Sequence, residues 1–259
     1  MKINNELKKK FNLLPYSESQ QYHHATKLTK FIEKKGSINN GPKEWFHIFY
    51  KGYPKFEKIV LPKKINLDNV KLLHALSKRK TLREYSGKEL NFSKLGTLLY
   101  YSAGLRNKNR KAGNRFYPSA GARYPLETYI VSFNTKGLKQ GIYHYHLRSG
   151  KLEFLWTKKH FKEVLMKNFN QDWISNAGAL IVISAVFWRN EMKYRDRGYR
   201  HTLTELGALT QNIYLLSAVL KLGCASIGGF IDDKLNSLLD LDGEDESVLG
   251  VIAVGEIDK

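Results

Sequence analysis

Residues 178–222 read GALIVISAVF, then WRNEMKYRDRGYRH from 188, then TLTELGALTQNIYLLSAVLKL from 202, and this stretch decides the architecture. Its first ten residues form a continuous apolar run of strand length, the pattern of a strand buried on both faces. From His201 to Leu222, a helical stripe collects Leu203, Leu206, Thr210, Ile213, Leu216 or Ser217, and Leu220. Ala208, Leu215, Ala218 and Leu222 widen it. A helix apolar almost all round is buried on several sides, in a core or at a subunit interface. Between strand and helix lie Lys193, Tyr194, Arg195, Arg197 and Arg200. Strand-to-helix junctions of α/β sheets commonly carry active sites. A tyrosine beside cations can have its pKa of about 10 lowered toward use as a general base. Neighbours i and i+1 do not share a helix face, so such a pair suits an irregular segment, which Gly198 permits.

Working outward, LETYIVSF (126–133), GIYHYHL (141–147) and KLEFLW (151–156) alternate and carry β-formers, so three strands are expected. GVIAVGEI (250–257) reads as a last strand. Asp68 is placed to cap a helix with Val70, Leu72, Leu73 and Leu76 on its apolar face. Ser93 is placed to cap another, through Leu95, Leu98, Leu99 and Ala103, with Gly104 ending it. Lys158 to Phe169 suggests a further helix, and residues 105–121 read as a loop. The first 65 residues differ: a polar, helix-compatible run from Ser17 to Lys34, loop-formers over 35–42, and an aromatic stretch from Trp45 to Tyr50. We therefore divide the chain into an N-terminal appendage (1–65), a candidate docking surface for a partner, and a main domain (66–259).

Composition narrows the function classes. With 259 residues and 42% hydrophobic content, the chain can bury a sizeable core. Its formal charge is +19, from 43 Lys+Arg against 24 Asp+Glu, a field that attracts acidic partners. Lysine is spread along the whole chain and no basic-aromatic binding motif appears, which argues against a nucleic-acid binder. The single cysteine, Cys224, excludes an internal disulfide and a Cys-based metal site, and reads as a buried inert thiol. His144 and His146 share a strand face without a third ligand, so no metal is expected. The basic start lacks a signal-peptide core and no run is long enough to cross a membrane, so a cytoplasmic protein is expected.

Three further segments carry candidate chemistry. SKRKTLREY (77–85) sets Arg79, Lys80, Thr81 and Arg83 within five residues, a set able to hold a phosphate monoester or to form a solvated basic turn. YPSAGARYPLE (117–127) flanks small residues with prolines, so that a backbone can approach a flat ring closely, or simply feed a strand. LGCASIGGF (222–230) brackets a short turn or strand with Gly223, Gly228 and Gly229, suited to cofactor contact or to a helix stop.

In this order, RKTLREY, a helix, PSAGARYPLE, the strand with Tyr143-His144-Tyr145, KYRDRGYRHTLTELGALTQNIYL and LGCASIGGF resemble the SagB-type azoline dehydrogenases of thiazole/oxazole-modified peptide clusters. These belong to the nitroreductase superfamily, and the resemblance spans about residues 70–256. It implies an α+β, nitroreductase-like fold: a central, mostly antiparallel sheet flanked by helices, with FMN at a homodimer interface. By position, Arg79, Lys80, Thr81 and Arg83 resemble the FMN phosphate and ribityl site. Ser119, Ala120 and Gly121 resemble the loop against the isoalloxazine, and Gly228 and Gly229 the turn near its ring. Lys193 and Tyr194 resemble the catalytic Lys-Tyr pair. The implied activity is FMN-dependent oxidation of thiazoline or oxazoline rings in a ribosomally made precursor peptide, alongside cyclodehydratase partners. The alternatives are an NAD(P)H-dependent reductase of nitro compounds, quinones or dehydroamino acids, and a non-catalytic scaffold of a peptide-modifying complex. Two departures stand out. Relatives tend to follow the glutamate of the long helix with Ala-Gly-His, where this chain has Leu206-Gly207-Ala208. The chain also ends just after its last strand, so the basic tail that contacts the phosphate in generic nitroreductases has no counterpart, and Arg195, Arg197 or Arg200 are the expected substitutes.

Overall fold

The computed structural model describes residues 18–27, 43, 50–106 and 114–258. In chain order the elements are α1 (Glu18–Ala25), β1 (Lys58–Val60), α2 (Leu72–Lys78), α3 (Phe92–Ala103), β2 (Leu126–Ser132), β3 (Gly141–His146), β4 (Lys151–Trp156), α4 (Phe161–Met166), β5 (Ala179–Val186), α5 (Trp188–Tyr194), α6 (Arg197–Val219), β6 (Leu222–Ile227), α7 (Asp232–Leu238) and β7 (Glu246–Glu256). The expected loop over 35–42 and the aromatic residues 45–49 lie outside the described residues, as do 107–113 of the expected loop over 105–121.

The strands form one seven-stranded sheet in the order β1-β4-β3-β2-β5-β7-β6. Every neighbouring pair is antiparallel. β5 is buried along its whole length, as its unbroken apolar run requires. Its alternate residues feed two cores. Ala179, Ile181, Ile183 and Ala185 face the layer of α3 and α6. Leu180 and Val182 face the layer of α4 and α7. The edge strand β1 pairs with β4 through Lys58↔Glu153 and Val60↔Lys151, so part of the expected appendage is built into the sheet.

Several boundaries moved for local reasons. Asn91, not Ser93, caps α3: its side chain accepts from the Ser93 and Lys94 N–H groups. Asp68 caps nothing; its N–H donates to Asn66, and α2 begins after Lys71. Within α2 only Ala75 is buried, while Leu72 and Leu73 are 67% and 78% exposed, so the expected apolar face points outward. α6 presents Thr202, Glu205, Leu209, Ile213 and Ser217 inward and leaves Leu203 exposed, a stripe rotated from the leucine-rich one.

Candidate functional site

The turn Ala120–Ala122 places Gly121 in the left-handed region at φ +57°. Ala122 and Tyr124 follow it there, at φ 54° and 49°, where a side chain is strained. Side-chain hydrogen bonds help hold the turn. Tyr124 N donates to Ser119 Oγ at 2.8 Å. Arg123 Nε donates to the Arg189 carbonyl at 2.8 Å, and an Arg189 guanidinium nitrogen returns to the Tyr124 carbonyl at 3.2 Å. The loop is thereby clamped to the start of α5.

The end of α5 then closes over it. Arg195, at φ 50°, breaks the helix just after Tyr194, and Gly198 lets α6 pack back on α5 so tightly that a Cβ there would meet the Asn190 carbonyl carbon at 3.0 Å. Lys193 and Tyr194 occupy the last turn of α5, not an irregular segment as expected, yet their long side chains converge. A Cβ on Gly121 would stand 2.5 Å from the Tyr194 hydroxyl and 3.1 Å from Lys193 Nζ. The structure thus brings together Gly121, Lys193 and Tyr194, residues separated by more than seventy positions in sequence. The expected lowering of the tyrosine is not found: burial holds the Tyr194 phenol above its ordinary value, with Arg123 opposing. The His201 ring stands against Tyr194, centroids 4.9 Å apart.

The basic segment lies along β6. Leu82 N donates to the Cys224 carbonyl at 2.9 Å. Arg79 packs 5.7 Å from the Tyr214 ring, and Thr81 Oγ1 is 3.4 Å from the Tyr214 hydroxyl, which accepts from Ser226 N at 2.8 Å. Arg83 lies 5.9 Å from the Trp173 ring. Lys80 turns into a cleft of about 670 Å³ shared with Lys78, Tyr214, Ser217 and Cys224. Arg79, Lys80, Thr81 and Arg83 are all exposed, as are Gly228 and Gly229, which continue from β6. Apart from its chain neighbours, no atom of the described residues lies within 4 Å of a Cβ built on Gly228. Tyr214 and Glu205, beside Ser119, are nine residues apart on α6, about 13 Å along its axis. The helix therefore links the exposed bases to the small-residue loop. Cationic groups at one end and a close-approach glycine at the other fit a phosphate-bearing planar cofactor.

Two expected substitutes for a phosphate contact are engaged elsewhere. Arg197 donates to the Thr26 carbonyl at 2.8 Å and Arg200 to the His23 carbonyl at 2.6 Å, so both cap the C-terminal end of α1. Cys224 is buried, and burial pushes its thiol up to about 12, which disfavours the reactive thiolate.

Sequence reasoning missed the charged layer under the loop. His144, 0% exposed, lies between Glu153 at 3.0 Å and Glu127 at 3.3 Å. Glu127 also accepts from Arg189 at 2.6 Å. Glu205 on α6, 2% exposed, is the glutamate before Leu206-Gly207-Ala208, to which sequence reasoning assigned no role. Only the i, i+2 spacing of His144 and His146 hinted at any of this, and His146 bonds Ser149 instead.

A family model described as the nitroreductase family matches residues 76–256. The chain belongs to the nitroreductase family. Among nitroreductase-family relatives, MJ1384 of Methanocaldococcus jannaschii is 30% identical over 176 residues, 68% of this chain and 87% of that one. The microcin B17-processing protein McbC of Escherichia coli is 29% identical over 55% of this chain and 54% of its own. The trifolitoxin-processing protein TfxB of Rhizobium leguminosarum is 27% identical over 76% and 49%. The chain thus spans about half the length of these two processing proteins. In fold it matches a chain of the E. coli microcin synthetase McbBCD complex with truncated pro-MccB17 bound, at TM-score 0.63 and 22% identity, over 93% of this chain and 92% of that one. It also matches a nitroreductase-type structure of Desulfovibrio desulfuricans in complex with FMN, at TM-score 0.50 and 16% identity, over 74% and 88%. Among the described residues, no helix is long and apolar enough to cross a membrane.

Proposed function

We propose that this chain is an FMN-dependent azoline dehydrogenase that converts thiazoline or oxazoline rings of a ribosomally made peptide to thiazole or oxazole. The observation that carries this reading is the convergence of Lys193 and Tyr194 on Gly121. The likeness to McbC and TfxB supports it. Arg79, Lys80, Thr81 and Arg83 would hold the phosphate and ribityl chain, Ser119, Ala120 and Gly121 would lie against the ring, and Gly228 and Gly229 would border it. FMN, when bound, supplies the two-electron acceptor for the ring hydride.

The chain's own side chains handle the proton. Tyr194, in its phenolate form, takes the ring α proton as the double bond forms, and Lys193 and Arg123 stabilise its negative charge. The strained turn holds the backbone of Gly121 against both, so their positions are set before substrate arrives.

The protein is proposed to act as a homodimer in the cytoplasm. Val70, Leu72, Leu73 and Leu76 are exposed, and Val70 and Leu72 line an apolar groove with Tyr101, Leu215, Leu216 and Val219. Such a patch suits a second copy of the same chain. The precursor peptide and cyclodehydratase proteins are the proposed partners, and residues 1–65 the proposed docking region. The +19 charge would steer acidic partners, so association should slow as salt rises.

The test is anaerobic mixing of the FMN-loaded protein with an azoline-bearing peptide. Bleaching of the flavin and loss of two mass units per ring support the assignment. Bleaching by NAD(P)H alone would favour the reductase alternative, and a chain that takes up no FMN would favour the scaffold.

A further inference from the structure

Glu205 lies on the inward face of α6, and neither of its carboxylate oxygens has a hydrogen-bond partner among the described residues. The guanidiniums around it bond other groups, and the Nε atoms of Arg115 and Arg189 are likewise left without a hydrogen-bond partner among the described residues. Arg115 donates from one nitrogen to Tyr117 Oη at 2.6 Å and the Leu126 carbonyl at 2.8 Å. Arg189 donates to Glu127 and Tyr124. Both act on Glu205 at a distance, and Tyr117 feels its charge in turn. Ser119 approaches it as a hydrogen-bond donor without completing the bond in this structure.

We propose that Glu205 is a positioning residue that holds a proton in the working site and sets, through the Ser119 hydroxyl, the hydrogen-bond polarity of the loop that Lys193 and Tyr194 meet, so that closure of a planar ligand over this loop takes up one proton. A serine hydroxyl has one donor and two acceptor sites. One acceptor site of Ser119 is filled by Tyr124 N. A protonated Glu205 donates to the other, leaving the Ser119 O–H free to face the ligand side, where the residue is half-exposed. An ionised Glu205 draws that O–H to itself instead. Burial pushes the carboxyl up to about 7, with Ser119, Arg115 and Arg189 pulling against it, so both forms are within reach at neutral pH.

Covering the loop strips water from the Ser119 side and further penalises the carboxylate. The protonated form therefore binds better, and by linkage binding draws a proton from solvent and release returns it. The inference rests on the FMN reading above, but not on the azoline chemistry.

The experiment titrates FMN into the flavin-free 259-residue chain, following flavin fluorescence from about pH 5.5 to 8.5, on both sides of an ordinary histidine pKa. Proton uptake is read in parallel with an indicator dye in weak buffer. The dissociation constant should be flat below 7 and weaken above it, by at most about tenfold per pH unit, with uptake approaching one proton per flavin. Glu205→Gln should give a flat profile at the acid-limb value, and Ser119→Ala should move the break to higher pH. A flat wild-type profile without proton uptake overturns the proposal, as does a break that survives Glu205→Gln. Binding with a flat profile removes this inference alone; no FMN binding at all removes it together with the cofactor assignment.

Discussion

The Tyr194 hydroxyl stands where Gly121 leaves no room for a side chain: a Cβ on Gly121 would lie 2.5 Å from it. The two segments that carry these residues, the small-residue turn and the last turn of α5, were separate motifs in the sequence. In the structure they form one wall. Gly121→Ala should therefore act at the site more than on the fold. The left-handed backbone costs a β-carbon about 1–2 kcal/mol, and the clash must displace Tyr194 or Lys193. The expected outcome is a modest drop in melting temperature with loss of most turnover. A variant with wild-type kinetics would show that the close approach is incidental.

The layer beneath the loop sets how stability depends on pH. Burial opposes the charge on Glu127, but Arg189 and His144 hold its carboxyl well below the usual carboxylate range. Its contribution is present above the unfolded-state value of about 4.3 and is lost as pH falls toward the folded value. Burial also opposes the charge on His144, yet Glu127 and Glu153 raise it overall. That contribution is complete below about 6.5 and is lost as pH rises through the folded value. Urea midpoints should thus fall on both the acid and the alkaline side. Arg189→Leu, which leaves Glu127 without its guanidinium, should cost about 3–5 kcal/mol.

Arg197 and Arg200 tie α1 to the start of α6, immediately after the Lys193-Tyr194 pair. Tyr22 reinforces the contact, its hydroxyl donating to the Asp196 carbonyl and its ring meeting Tyr199 edge-on. Replacing both arginines by alanine should loosen the segment around the already exposed Lys27 and so speed trypsin cleavage there, while leaving FMN uptake unchanged. Unaltered cleavage would mean that other contacts hold α1 in place.

Much of this was legible in the sequence, for a physical reason. The apolar run of β5 and the alternation of β2, β3 and β4 are set by local periodicity, and they fell where that periodicity put them. The face of α2 was not legible, and that of α6 only in part. Leucines at 72, 73 and 203 read as core, whereas Thr202, Glu205 and Leu209 are what face inward over the first half of α6; Ile213, Ser217 and Leu220 of the expected stripe are buried as read. A leucine stripe signals burial without saying whether the covering surface belongs to the same chain. The buried charges at Glu127, His144 and Arg189 were invisible for the opposite reason. Each is an ordinary polar residue until strands distant in sequence bring its partner alongside.

The central claim is that Tyr194 and Lys193, held against Gly121, remove the proton while the flavin accepts the hydride. Because burial keeps the phenol above its ordinary value, turnover should rise with pH through the alkaline range, as phenolate forms. The most direct measurement is single-turnover flavin reduction by an azoline peptide under anaerobic conditions, in the wild type, Tyr194→Phe and Lys193→Ala. The account predicts that both variants retain bound FMN and its yellow colour but reduce it at least about a hundredfold more slowly, the lower range for loss of a general base. Reduction by both variants at the wild-type rate would contradict it.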